Sequence, residues 1–168
     1  LEGQDMFHMS GLHRDVYLFA VEPVFISDHY ITSSLNQEDN FKSGKLTVEL
    51  EIDNPTNKKQ RKNIEIELFN PKKKNIFSKT YSIEAKDKKT KLKIEQELTN
   101  LELWNAEIPH LYTIIIRQKD KKGNEEMVFS TKYGFRDIKI ANNRVYINGE
   151  QVLFKGVNTQ DTHPLYGR

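Results

Sequence analysis

The sequence predicts an all-β protein built around an immunoglobulin-like antiparallel β-sandwich. Three observations support this prediction. Polar and apolar residues alternate along most of the chain, which is typical of strands with one buried and one exposed face. The segments between these runs are rich in Asn, Asp, Gly and Pro, which favour turns. No segment of normal helix length has helical spacing, and 168 residues leave room for one domain with flanking pieces.

Eight alternating runs occupy the chain before residue 134, and each is predicted to be a strand. In the run Lys91–Leu98, for example, the apolar side chains share one face and the charged side chains share the other. The last seven runs together have the size of an immunoglobulin-like domain. Tyr112 lies at the start of the sixth of these seven, so its hydroxyl is expected to bond nearby backbone as a tyrosine corner. In chain order the runs are Asp15–Val21, Val24–Leu35, Lys45–Ile52, Ile64–Phe69, Ile76–Ile83, Lys91–Leu98, Leu111–Gln118 and Glu126–Tyr133.

The two ends of the chain lie outside the predicted sandwich and carry flanking strands. Asp15–Val21 is interpreted as the last strand of a preceding domain. After Tyr133, short apolar runs alternate with Asn142–Asn143 and Asn148–Gly149, and such turn residues between apolar runs predict tight hairpins. The strands predicted here are Ile138–Ile140, Val145–Ile147 and Gln151–Lys155.

The composition excludes several classes of protein. The chain has no cysteine, which removes disulfide scaffolds, thiolate metal sites and cysteine nucleophiles and fits a cytoplasmic location. No apolar stretch approaches the roughly 20 residues that cross a bilayer, so no membrane partner is expected. The first ten residues have neither a signal-peptide pattern nor an initiator Met, and we therefore expect a piece of a longer chain.

Lysine clusters lie between predicted strands at Lys58–Lys62, Lys72–Lys74 and Lys86–Lys89. Because acidic residues alternate with them nearby and the net charge is only +2, the clusters are interpreted as solvated loop tips. A nucleic-acid site would need basic residues gathered on one face with aromatic residues between them. No nucleic-acid partner is predicted. The glutamates of the sandwich occupy alternating positions and are expected to face solvent.

A polar segment follows the last predicted strand and contains Asn158, Gln160, Asp161 and His163. Reacting groups lie at the carboxyl ends of strands in a (β/α)8 barrel, but surface loops are also usually polar, and spacing alone favours the ordinary loop. One Asp and one His are too few for zinc, and glycosidic-bond cleavage needs two carboxylates, of which Asp161 would be only one. No serine has the setting of a catalytic nucleophile. Neither a catalytic residue nor a metal site is therefore predicted in this chain.

Three separated stretches resemble the family-2 glycoside hydrolases, and among them the long bacterial β-galactosidases of the lactose-cleaving type. Their order and spacing agree with that family, and together they span nearly the whole chain. The stretches are LEGQDMFHMSGLHRDVYL at residues 1–18, LWNAEIPHLYTI at 103–114 followed by YGFRDIKI at 133–140, and INGEQVLFKGVNTQDTHPLYG at 147–167.

The resemblance implies three parts. Residues 1–22 would end an N-terminal jelly-roll sugar-binding domain, residues 23–135 would form the immunoglobulin-like sandwich, and residues 136–168 would supply the leading hairpin and first strand of a (β/α)8 catalytic barrel. The parent would be a retaining β-galactosidase that hydrolyses terminal β-D-galactosyl residues, and its catalytic glutamates would lie downstream of this chain. Magnesium, sodium and a homo-oligomeric assembly are implied for the parent only. The chain itself would be a non-catalytic segment that spaces and supports the barrel.

The resemblance also implies a partial sugar pocket formed by Asn158, Gln160, Asp161 and His163. Thr159 replaces an Arg that is usual in the family, and Gln160 stands where a His normally contacts galactose. Glutamine can donate and accept hydrogen bonds but cannot carry a positive charge, which bears on the preferred sugar. The residues that keep the family pattern are Gly156, Val157, Asn158, Asp161, His163 and Pro164.

A stand-alone carbohydrate-binding or adhesion module is the alternative function. Such a module would use an exposed aromatic ring as a sugar platform, and Trp104 is the only tryptophan. Because large aromatic side chains are mostly buried, Trp104 is interpreted first as an anchor packed on the sandwich edge. A purely structural or assembly domain overlaps the leading hypothesis. The stretch from His163 to Gly167 resembles the galactosidase branch more than the glucuronidase branch.

Overall fold

A computed structural model of the chain describes residue 12, residues 15–56 and residues 58–158. All regular structure in these residues is β, so the predicted fold class is confirmed. The sandwich strands are β1 Phe25–Leu35, β2 Ser43–Asp53, β3 Gln60–Phe69, β4 Asn75–Ala85, β5 Lys89–Thr99, β6 Tyr112–Lys119 and β7 Glu125–Tyr133. They form two antiparallel sheets, with the orders β1-β2-β5 and β4-β3-β6-β7.

An aliphatic core lies between the two sheets. In β2, Val48 and Leu50 are buried while the residues between and beside them are more exposed, and Ile64 and Ile66 repeat this pattern in β3. Branched side chains suit the pleated strand, and each one that leaves water contributes about 1.5–3 kcal/mol. The period of two along strands such as β2 and β3 therefore determines which of their residues form the core.

The fourth strand departs from the constant-type immunoglobulin arrangement. In that arrangement the fourth strand joins the sheet of the first, second and fifth strands. Here β4 pairs with β3, because a short turn after Phe69 returns the chain directly onto its neighbour. Asn70 closes this turn, since its Oδ1 accepts the backbone N–H groups of Lys72 and Lys74 at 3.0 and 2.9 Å.

A third, smaller sheet follows the sandwich. Its strands are β8 Ile138–Ala141, β9 Arg144–Ile147 and β10 Glu150–Val152, in the order β10-β9-β8. The two-residue turns between them place Asn142, Asn143, Asn148 and Gly149 at positive φ, from 49° to 82°. Such turns favour Asn and Gly, and both predicted hairpins are confirmed. Val21–Leu153, which includes this sheet, forms one compact unit.

One predicted flanking strand is wrong, and another is shorter than predicted. Asp15–Val21 is irregular, and of Gln151–Lys155 only the part up to Val152 is in a strand. A strand exists through hydrogen bonds to a neighbouring strand, and within the described residues no strand pairs with these irregular parts. Alternating residues alone cannot supply that partner. Large apolar side chains such as Leu18 and Phe154 are exposed here.

The interpretation of Lys58–Lys62 as a solvated loop tip is wrong at its end. Lys62 lies in β3 on the same face as Ile64, and it is only 5% exposed. Its Nζ lies 2.5 Å from Oε1 of Glu126, whose side chain is only 14% exposed. A buried lysine is costly unless a charged partner accompanies it, so Lys62 and Glu126 are buried together. The prediction that the sandwich glutamates face solvent is therefore wrong for Glu126.

Candidate functional site

The structure describes one of the four residues predicted to contact sugar. Asn158 is exposed and lies in irregular chain after β10. Gln160, Asp161 and His163 lie outside the described residues. The assignment of these four residues to a sugar pocket stays a prediction.

The geometry instead defines a joint between the sandwich and the third sheet, formed by Trp104, Phe135, Arg136, Asp137 and Asn148. These residues come from all three segments around it: the loop before β6, the chain after β7, and the turn before β10. The backbone N–H of Trp104 donates to the carbonyl of Phe135 at 2.8 Å. This bond attaches the loop before β6 to the point where the chain leaves the sandwich.

Trp104 is an anchor, as the sequence indicates, and Gly134 makes its close packing possible. A Cβ added at residue 134 would lie 2.8 Å from both Cβ and Cγ of Trp104, which is closer than real carbon atoms approach. The guanidinium carbon of Arg136 lies 4.6 Å from the centroid of the Trp104 ring, a cation–π distance. The indole is therefore held by Gly134 at its base and by Arg136 at its ring.

Phe135 is the buried centre of the joint. Its ring meets Tyr112 and Tyr133 edge to face, with centroids 4.8 and 5.1 Å away, which is a favoured aromatic geometry. The Tyr112 hydroxyl accepts the backbone N–H of Glu102 at 2.9 Å, so the predicted tyrosine corner is confirmed. The Tyr133 hydroxyl donates to Oγ of Ser33 at 2.8 Å. Burial raises the pKa of both tyrosines above its ordinary value.

Asn148 ties the third sheet to the sandwich with three hydrogen bonds. The Asn148 Oδ1 accepts the backbone N–H of Asp137 at 2.9 Å. The backbone N–H of Asn148 donates to the Asp137 carbonyl, also at 2.9 Å. Its Nδ2 donates to the Trp104 carbonyl at 3.0 Å. A Cβ added at the next residue, Gly149, would lie 3.4 Å from the ring of Phe41, so the turn also packs on the sandwich. One turn residue thus joins three segments.

A groove of about 520 Å³, here called the joint groove, opens beside the joint between β1 and the end of β7. Lys132 and Arg136 supply two positive charges to it, and none of the described Asp or Glu residues lines it. Its walls include Trp104 and Tyr133, and the exposed side chain of Ile138 lies at its rim. This combination suits an anionic group next to an apolar one.

A second depression, of about 330 Å³, lies on the outer face of the three-stranded sheet. Charges of both signs line it, and Nζ of Lys93 lies 4.0 Å from Glu49 and 3.1 Å from Glu95. The depression is therefore largely self-neutralised.

Among the described residues no three His, Cys, Asp or Glu side chains gather as a metal site. No helix in that part of the chain could cross a membrane.

Sequence reasoning missed a buried polar cluster at the far end of β6. The fully buried Gln118 donates from Nε2 to the Val24 carbonyl at 2.6 Å and to Oε2 of Glu126 at 2.9 Å. Lys62 completes the cluster through its contact with Glu126. The available signal was the inward position of Gln118, two residues after the buried Ile116. The cluster fixes the start of β1 to the four-stranded sheet.

Seven strands in two sheets with a tyrosine corner define an immunoglobulin-like domain, here followed by a hairpin sheet. The chain belongs to the glycosyl hydrolases family 2, whose family model matches residues 24–136. The match begins just before β1 and ends within the joint, at Arg136. Domains of this kind occur in proteins named β-galactosidase and in proteins named β-glucuronidase.

The chain is similar over its whole length to bacterial β-galactosidases. It is 36% identical over 167 residues to the β-galactosidase of Actinobacillus pleuropneumoniae, which covers 99% of this chain and 14% of that protein. It is 32% identical over 168 residues to the β-galactosidase of Clostridium acetobutylicum, which covers 100% of this chain and 18% of that protein. The chain thus spans less than a fifth of the length of these relatives.

Solved structures share the fold. The β-glucuronidase of Bacteroides uniformis superposes with a TM-score of 0.75 and 14% identity, over 88% of this chain and 18% of that one. The β-glucuronidase of Parabacteroides merdae superposes with a TM-score of 0.70 and 23% identity, over 84% of this chain and 17% of that one. At such identities the likeness concerns the fold alone.

Proposed function

We propose that this chain is an internal, non-catalytic segment of a retaining β-galactosidase, in which the sandwich spaces and supports the catalytic barrel. The observation that carries the proposal is the 36% identity to a β-galactosidase across 99% of the chain. A second β-galactosidase is 32% identical across the whole of this chain. The proposed sugar is therefore a terminal β-galactosyl group.

The joint supports the mechanical part of this proposal. Asn148 and Trp104 bond to segments that are distant in sequence, and hydrogen bonds are directional, so the third sheet leaves the sandwich in a defined orientation. In the proposal that sheet leads into the segment that carries Asn158, Gln160, Asp161 and His163. The sandwich would thereby set where one strip of the sugar pocket begins.

The chemistry itself belongs to the rest of the proposed parent. A retaining glycosidase uses two carboxyl groups about 5 Å apart, one that protonates the leaving oxygen and one that forms a glycosyl-enzyme intermediate. We place both groups, and any magnesium and sodium ions, outside this chain. A homo-oligomeric, cytoplasmic parent is part of the same proposal.

The alternative, a sugar-binding module with Trp104 as platform, has less support. A platform needs an open ring face, whereas Arg136 lies over this ring and Gly134 packs against its base. Trp104 emission tests the alternative directly, because it is the only tryptophan. We expect no change of emission with galacto-oligosaccharides, and a saturable shift would favour the binding module.

The test of the proposed function compares this chain with the longer protein that contains it, on nitrophenyl β-galactoside and β-glucuronide. We expect the longer protein to prefer the galactoside by roughly a hundredfold or more in kcat/KM, as pockets that bind specific polar groups do. We expect the chain alone to hydrolyse neither substrate. Activity that stays with the purified chain through several columns would contradict the non-catalytic role. A preference for the glucuronide would contradict the assigned sugar.

A further inference from the structure

We propose that the joint groove docks a carboxylate-bearing segment from the remainder of the longer polypeptide. The inference rests on the proposed function in one respect, since it places this sandwich within a larger enzyme. It does not depend on which sugar that enzyme cleaves. Most of the length of the related β-galactosidases lies outside the match to this chain, so such a segment has ample sequence from which to come.

Charge distinguishes the groove from the outer faces of the sheets. On the outer face of the four-stranded sheet, Arg117 contacts Glu67 and lies 3.7 Å from Glu65 and 3.3 Å from Glu125. In the groove, the one described partner of Lys132 is the hydroxyl of a threonine, at 2.7 Å, and Arg136 lies on the Trp104 ring. No carboxylate among the described residues lines the groove. Two cations on a partly apolar surface favour the binding of an anionic partner.

Arg136 is oriented for such a partner before the partner arrives. The indole of Trp104 holds the guanidinium at 4.6 Å, and the indole is itself fixed by Gly134 and by the backbone bond to Phe135. A guanidinium that stacks on an aromatic face still presents its N–H groups to a carboxylate. Because its position is already fixed, binding costs less side-chain entropy.

The rim of the groove indicates the rest of the partner's chemistry. Leu111 is 41% exposed and Ile138 is 53% exposed, and both lie at the groove. A docking segment should therefore carry an apolar side chain beside its Asp or Glu. A second copy of this chain fits poorly, because a two-fold contact through the groove would bring Lys132 and Arg136 of both copies together.

Carbodiimide cross-linking of the longer protein tests the proposal. The reagent joins an amine to a carboxylate only where the two are in contact, and mass spectrometry identifies the pair. We expect Lys132 to be linked to an Asp or Glu outside residues 1–168. A mixture of isotope-labelled and unlabelled protein separates links within one polypeptide from links between copies. No link at Lys132, a link only within residues 1–168, or a link between copies would each overturn the proposal.

A variant pair measures the part played by Arg136 in the longer protein. Arg136→Met keeps the length of the side chain but removes its charge, and we expect Lys132 to be acetylated roughly tenfold faster in this variant, because the docked segment opens more often. Arg61→Met is the matched control, since Arg61 is exposed in β3 and bonds only the Ser82 hydroxyl among the residues that the structure describes. We expect it to leave the Lys132 rate unchanged. Equal rates in both variants would overturn the proposal.

The cross-link in the unsubstituted protein does not depend on whether Arg136→Met folds. It also separates the two proposals. A longer protein that prefers another sugar would contradict the proposed function while the Lys132 link remained. A β-galactosidase without that link would contradict the groove proposal alone.

Discussion

The middle of the sandwich and Phe135 at the centre of the joint are equally buried, but different forces hold them. In the middle, side chains such as Ile66 and Ile114 are at most 1% exposed and contact other aliphatic side chains. In the joint, Phe135 is just as buried, yet edge-to-face rings surround it and the hydrogen bonds of Asn148 and Trp104 flank it. Aliphatic burial stabilises without fixing direction, whereas the joint contacts fix an orientation.

The largest loss of unfolding free energy is expected from a substitution in the middle of the sandwich. Ile66→Ala removes a fully buried side chain and leaves a cavity, so we expect it to lower the free energy of unfolding by about 2–5 kcal/mol, measured by urea denaturation. Ile76→Ala is the control, because Ile76 is 41% exposed in the edge strand β4, and it should cost about 1 kcal/mol or less. Equal losses in the two variants would show that burial does not separate these positions.

The next effect should be confined to the joint. Asn148→Gly removes two side-chain hydrogen bonds but keeps the positive φ of the turn, which glycine adopts freely, so we expect a cost of about 1–3 kcal/mol. The loss should appear as faster amide hydrogen exchange in β8, β9 and β10, with β2 and β3 unchanged. Asn143→Gly has the same backbone geometry and should change little. Faster exchange throughout the sandwich would contradict a separate role for the joint.

Much of the fold could be predicted from the sequence because its signals are local. Alternation within ten residues reveals all seven sandwich strands, and the Asn142–Asn143 and Asn148–Gly149 pairs reveal both hairpins. The backbone hydrogen bond predicted for the Tyr112 hydroxyl is also confirmed. These features need only the strand period and turn chemistry.

The remaining features depend on contacts between distant residues. The Asn148–Trp104 bond spans 44 residues, and the burial of Lys62 depends on Glu126, 64 residues away. No local sequence pattern predicts either of these contacts. The strand predicted at Asp15–Val21 fails for the same reason, because a strand needs a partner that its own residues do not specify.

The tyrosine corner should contribute a smaller amount than the Asn148 turn. Tyr112→Phe keeps the ring packing on Phe135 but leaves the Glu102 N–H without its acceptor, and we expect a loss of about 1–2 kcal/mol in urea denaturation. Tyr30→Phe is the control, because Tyr30 is 65% exposed. A neutral Tyr112→Phe would show that the corner does not stabilise the joint.

The same tyrosines predict a weakening at alkaline pH. Burial raises the pKa of Tyr112 and Tyr133 above the ordinary value of 10.0, so the fold favours their neutral forms. This stability is fully present below the unfolded-chain pKa and is lost as the pH rises through the folded-state pKa. Urea denaturation between about pH 8 and pH 12 should show the loss, and Tyr112→Phe with Tyr133→Phe should flatten it. An unchanged slope in that double variant would exclude these tyrosines as the cause.

The smallest loss of unfolding free energy is expected on the outer face of the four-stranded sheet, although Arg117 has several ion-pair partners there. Arg117 contacts or approaches three glutamates on the outer face, but water reaches its side chain, which is 25% exposed. Exposed pairs contribute little, so Arg117→Met should cost about 0–1 kcal/mol near physiological salt and more at low salt. Urea denaturation at two salt concentrations measures both values. A large loss that persists in high salt would mean that the outer face, rather than the joint, holds the directional contacts, and the contrast between the two regions would then fail.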